Sequence, residues 1–211
     1  MRRPVVAALV VVAAVATMAS GAVALTVAND RSDGPGIGMH AMTPSSSAWS
    51  QRDSFRHDHG VMHSAAVDTE FAYLTQMVAH HKEAVAAARE LEGSNRPQLR
   101  AFGANIVLTQ SAQIDQMTDW LAEWYPERSI EVDYQPMMRD LSDLSGDRLD
   151  QAFLEDMVPH HMAAVMMSQQ LLMRRLADHE LVTDLARAIR NEQHNEILQM
   201  RRWLATWFGA D

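Results

Sequence analysis

The chain repeats itself, and that repetition constrains its fold more than any other feature. A shift of 80 residues lays Glu70, Tyr73, Met77, His80, His81, Ala84 and Val85 over Asp150, Phe153, Met157, His160, His161, Ala164 and Val165. A shift of 83 lays Gln110, Gln113, Ile114, Met117, Trp120, Leu121 and Trp124 over Gln193, Glu196, Ile197, Met200, Trp203, Leu204 and Trp207. The stripes Ile106, Gln110, Ile114, Met117, Leu121, Trp124 and Ile189, Gln193, Ile197, Met200, Leu204, Trp207 follow the three-and-four spacing of one buried helical face. Each repeat is therefore a pair of helices, present twice. The pattern predicts helices over 68–92, 97–124, 147–177 and 180–208. Gly93-Ser94-Asn95-Arg96 ends the first, and Pro97 suits a first helical turn. Short loops within each pair make antiparallel hairpins, whereas the 22 residues from Tyr125 to Gly146 can cross the molecule. The expected product is an all-α four-helix bundle over 68–208, with repeats at 68–124 and 147–208 and a crossover at 125–146. Its tryptophans read as core and end-cap residues. Met162, Met166, Met167 and Met173 read as packing along the apolar side of the third helix. Pro159, which replaces Ala79 of the first repeat, predicts a kink just before His160.

Two segments precede the bundle. Residues 1–28 begin Met1-Arg2-Arg3 and continue as an apolar run, an export segment that is either a cleaved signal peptide or a transmembrane anchor. Both place the remainder outside the cytoplasm, and an uncleaved segment would make the membrane a partner. Residues 29–67 are rich in Gly, Ser, Pro and Asp, show neither helical nor strand periodicity, and read as a flexible tether. The tether carries Met39, His40, Met42, His57, His59, Met62 and His63, a tract that either binds metal without folding or is a solvated linker.

The chemistry is limited by what is missing. The chain has no cysteine but 15 methionines and 10 histidines, so any metal must be held by imidazole, thioether, carboxylate or backbone. A net charge of −9 opposes a nucleic-acid partner. No glycine-rich phosphate loop and no activated nucleophile is recognisable, so no organic cofactor and no catalytic residue is expected.

Each repeat carries one Met-x-x-His-His group: Met77, His80 and His81, then Met157, His160 and His161. A methionine three and four residues before two histidines shares a helix face with both. Carboxylate di-iron bundles need Glu-x-x-His, a motif this chain lacks, and at the place of its carboxylate stand Met77 and Met157. Thioether and imidazole together favour copper(I) over iron, manganese or magnesium. His194, beside Gln193, could supplement the site, whereas His179 at the last turn reads as a surface residue.

Met77-Val78-Ala79-His80-His81-Lys82-Glu83-Ala84, Met157-Val158-Pro159-His160-His161-Met162-Ala163-Ala164 and their companion Trp-bearing helices resemble the domain of unknown function 305 family. The resemblance covers about 67–208. It implies an exported, ferritin-like helical protein, and some members are linked to copper binding and resistance. Carried over by motif, it implies His80, His81, His160, His161, Met77 and Met157 as ligands, with Met137 and Met138 from a Met-containing segment before the second His-His helix.

The expected function is therefore that of an exported protein, not an enzyme, that sequesters copper(I) or hands it over, the tether collecting and the bundle holding. Two alternatives stand beside it. One is a metal-dependent oxidase using the four histidines with Gln110, Gln193 and Glu196. The other is a structural module whose third helix packs on a partner or a second copy of the chain.

Overall fold

The computed structural model describes residues 67–209. The export segment and the tether, with Met39, His40, Met42, His57, His59, Met62 and His63, lie outside the described residues. Four helices and no strand occur among the described residues: α1 (Glu70–Glu90), α2 (Pro97–Trp124), α3 (Gly146–Arg174) and α4 (Glu180–Trp207). None is long and apolar enough to cross a membrane.

Local chemistry sets the ends. The Thr69 side chain accepts a hydrogen bond from the Ala72 N–H at 3.1 Å and caps α1. Helix α1 stops at Glu90, two residues short of the expected end, because Leu91–Gly93 tightens into a 3-10 turn. Helix α3 stops three residues short of Ala177 because Arg175 turns left-handed (φ 54°) and its N–H closes on the Leu171 and Leu172 carbonyls. Pro159 sits inside α3, which stays helical on both sides of it. Between α1 and α2 the backbones close up at Gly103, where a side chain would drive a Cβ to 2.7 Å from the Ala88 carbonyl oxygen.

The hairpins α1–α2 and α3–α4 meet chiefly through α1 and α3. Two apolar clusters fill the interior. One gathers Tyr73, Leu74, Met77, Met117, Leu121, Leu171 and Ile189; the other gathers Leu91, Leu99, Ile106, Phe153, Leu154, Met157, Ile197 and Met200. On every helix the stretch between the two clusters is polar yet buried: His80 and His81, Gln110 and Gln113, His160 and His161, Gln193. The repeat thus builds two oil-like ends with a layer of imidazole and amide across the middle.

Matched clamps hold the two outer ends. Buried Glu70 on α1 accepts hydrogen bonds from the Tyr125 hydroxyl (2.9 Å), the Asp178 and His179 backbone N–H groups (2.7 and 2.8 Å) and the His179 ring (2.7 Å). The His179 ring also stacks on Trp124 at 3.7 Å. The repeat-related set is Asp150, which accepts from Arg96 at 2.5 Å, with the Arg96 guanidinium over Trp207 at 5.0 Å. The tryptophans do end the core as expected, but His179 is a working clamp residue, correcting its assignment as a bare surface histidine. The methionines of α3 divide: Met167 is buried, Met162 is half-buried, while Met166 and Met173 are 45% and 73% exposed, because they lie on the side of the helix turned away from both clusters.

Candidate metal centre

Helices α1 and α3 present their histidine pairs to each other at mid-length. The His80 and His160 rings lie 3.7 Å apart at 32°, each about 6 Å from its neighbour on the same helix, His81 or His161. All four side chains are buried. Burial costs an imidazole its water partners, and each ring recovers one of them through Nε2. His80 Nε2 lies 3.0 Å from the His160 carbonyl oxygen. His81 Nε2 lies 2.8 Å from Gln113 Oε1, an amide whose NH2 donates to Glu192 at 3.0 Å. His160 Nε2 lies 3.1 Å from Glu83 Oε2, and His161 Nε2 lies 2.8 Å from Glu196 Oε2. Each partner is an oxygen that accepts, so each Nε2 must carry the proton and donate. A neutral ring protonated at Nε2 has a bare lone pair at Nδ1. All four Nδ1 atoms are buried without a hydrogen-bond partner, as are Gln110 Oε1 and both polar atoms of the Gln193 amide.

The surroundings also keep three of the rings neutral. Burial, reinforced by the other three histidines, holds His80 well below its ordinary range. Burial takes His81 down to about 3 despite the bond to Gln113, and lowers His160 despite the bond to Glu83. Burial by itself would raise the Glu83 carboxyl, but hydrogen bonds from His160, Tyr134 and the Met138 backbone outweigh it and hold the group at about 2. Such unprotonated imidazoles, each oriented through its other nitrogen, are what metal ligation requires. Leaving a buried acceptor unmatched costs about 1–3 kcal/mol per atom, a cost an incoming cation would offset. Among the described residues, no three His, Asp or Glu side chains are set as a ready-made cage for an ion. His80 and His160 meet face to face, so their in-plane lone pairs do not point at one another.

The family model for the domain of unknown function DUF305 matches residues 68–204, across both hairpins and this layer. The chain belongs to the DUF305 family. Among solved structures it is similar to CopM in the Cu(I)-bound form, at 28% identity and a TM-score of 0.60, covering 67% of this chain and 99% of that one. CopM in an Ag-bound form matches at 27% identity and a TM-score of 0.59, covering 67% of this chain and 98% of that one. A DUF305 fragment from Deinococcus radiodurans matches at 28% identity and a TM-score of 0.58, again covering 67% and 98%. Among curated proteins, none matches this chain.

Within this DUF305 chain the remaining sequence candidates take different places. Met77 and Met157 are fully buried, one in each apolar cluster, on either side of the imidazole layer. Met137 and Met138 are half-buried in the crossover, where both backbone N–H groups donate to Glu83 Oε1 at 2.7 and 2.8 Å. His194 does not join the layer. It is exposed and lines a groove with Val165, Gln169, Arg190, Asn191 and Asn195 on the outside of α3 and α4. Its neighbour Gln193 occupies the inward position, and one residue along a helix is a turn of about 100°.

Two participants escaped the sequence reading. Glu83 fixes His160 and also ties down the crossover through Met137, Met138 and the Tyr134 hydroxyl. Gln113 was visible as a repeat match, but not as the acceptor for His81. The available signal for Glu83 was its spacing, three residues after His80 and hence on the same face, at a place where the second repeat has Ala163.

Proposed function

We propose that this protein is exported and binds copper(I), to sequester it or pass it on, and is not an enzyme. One observation carries the reading: four buried imidazoles in a single layer, each tied through Nε2 and each with an unpartnered Nδ1. His80, His81, His160 and His161 would hold the ion as cargo. Met77 and Met157, one turn earlier on the same helices, would add soft thioethers, and Met137 and Met138 would approach from the crossover. Copper(I) favours this donor set over harder ions, and CopM, similar over 67% of the chain, has been solved with Cu(I), Cu(II) and Ag. The arrangement of hairpins is read as a ferritin-like bundle, preceded by an export segment and by a tether whose histidines and methionines collect the ion at high effective concentration.

Titration of the leaderless protein with copper(I) under reducing conditions, with and without residues 29–67, tests this. Tight stoichiometric binding that survives loss of the tether is expected, and only weak binding in both forms overturns it. A second reading, a metal-dependent oxidase, draws support from Glu83 and Glu196, which bring carboxylates to His160 and His161. Stoichiometric iron with oxygen consumption would favour it over copper storage.

A further inference from the structure

The four imidazoles are alike in residue type and unlike in what holds them. His160 and His161, both on α3, donate their N–H to carboxylates: Glu83 from α1 and Glu196 from α4. His80 and His81, both on α1, donate to neutral oxygens, a backbone carbonyl and the Gln113 amide. His81 reaches a carboxylate only at one remove, since the Gln113 NH2 donates in turn to Glu192. A carboxylate on the far nitrogen pushes electron density toward the near one and makes a histidine a stronger ligand.

We infer that Glu83 and Glu196 grade the layer, making His160 and His161 the stronger donors, so that copper settles first on the α3 pair and only then on the α1 pair. The inference rests on the copper reading above. Glu83 and Glu196 are positioning residues here: each touches an imidazole, and the imidazole touches the ion. The grading gives a two-domain-like division of labour to a layer that the repeat would otherwise make uniform. It also fits transfer, because an ion held on the weaker α1 pair can be taken up or released without disturbing the contacts of the stronger pair.

Glu196→Gln is the cleanest test, because the amide still offers an oxygen to the His161 N–H while the charge is gone. Competition of the leaderless protein against a copper(I) chelator should show the tightest ion bound about 10–100-fold more weakly at unchanged stoichiometry. The reduction potential of bound copper should move positive, since an electron-poorer imidazole disfavours copper(II). Gln113→Glu should move affinity and potential the other way at the weaker pair. Glu83→Gln should repeat the Glu196→Gln result, read alongside thermal unfolding because Glu83 also holds the crossover. Wild-type affinity and potential in both Glu→Gln variants would overturn the grading while leaving copper binding intact. Loss of an ion outright in Glu196→Gln would also overturn it, making the carboxylate a ligand. Failure of the wild-type protein to bind copper(I) would remove the reading beneath.

Discussion

The clamp around Glu70 and the imidazole layer are both buried polar constructions, and they are built on opposite terms. At the clamp, the two carboxylate oxygens of Glu70 meet four donors from Tyr125, Asp178 and His179, all at 2.7–2.9 Å. In the layer, six side chains leave at least one polar atom without a partner. Polar groups that only stabilise a fold are for the most part matched. Among the described residues, the one buried side-chain atom left without a partner outside the layer is Asp150 Oδ1 of the second clamp, so the shortfall is concentrated at the proposed metal centre.

The largest expected effect comes from acidifying the metal-free protein. His80, His81 and His160 are held below their ordinary 6.5 in the folded state. The unfolded chain therefore binds protons that the folded one refuses. Their contribution is fully present above pH 6.5 and is lost as pH falls from 6.5 toward about 3, where His81 titrates in the folded state. Three such groups make the slope up to about 4 kcal/mol per pH unit within that window. Denaturant unfolding at pH 7.5 and 5.5 checks it, and equal stability at the two would show that the layer is not kept neutral by burial. Next in size, Glu70→Ala leaves the Tyr125 hydroxyl and the Asp178 and His179 N–H groups without their acceptor and should cost about 2–3 kcal/mol, with copper affinity unchanged because the clamp is remote from the layer. A fall in affinity as large as the fall in stability would join the two regions that the comparison separates. The smallest effect is expected at Gln193→Met, which replaces two unpartnered atoms at similar volume and should stabilise by about 1–2 kcal/mol in thermal or urea unfolding. Destabilisation there would show that the amide is satisfied by ordered water, and the contrast with the clamp would weaken.

Periodicity shows in a sequence because it repeats, and so the four helices, the hairpin pairing and the two histidine pairs were legible. Burial of both members of each pair was not, since adjacent residues lie about 100° apart on a helix and only packing against more than one neighbouring helix encloses both. What could not be read were partners supplied by irregular chain. Glu83 acquires its role only when Tyr134, Met137 and Met138 arrive from the crossover, whose path no apolar spacing encodes. The clamps were half visible: Glu70 and Asp150 match under the 80-residue shift, and Arg96 matches His179 under the 83-residue shift. Nothing in the pattern said that each acid would reach across to the other hairpin. Met166 and Met173 show the converse limit, since hydrophobic type alone does not tell which side of a long helix meets the core.

The stack of His80 on His160 lies where a pseudo-twofold axis would pass, and this has a consequence for symmetry. If a single hairpin paired with a second copy of itself, whatever stood three residues after one axial histidine would stand three residues after the other. Two glutamates would crowd the axis, or none would be there. Joining the hairpins in one chain removes that obligation. Glu83 faces the axis from one side and Ala163 occupies the related position on the other, so one imidazole is answered by charge and its twin by a carbonyl. The crossover is thus more than a connector. It is what permits two copies of the same motif to differ at the point where they touch.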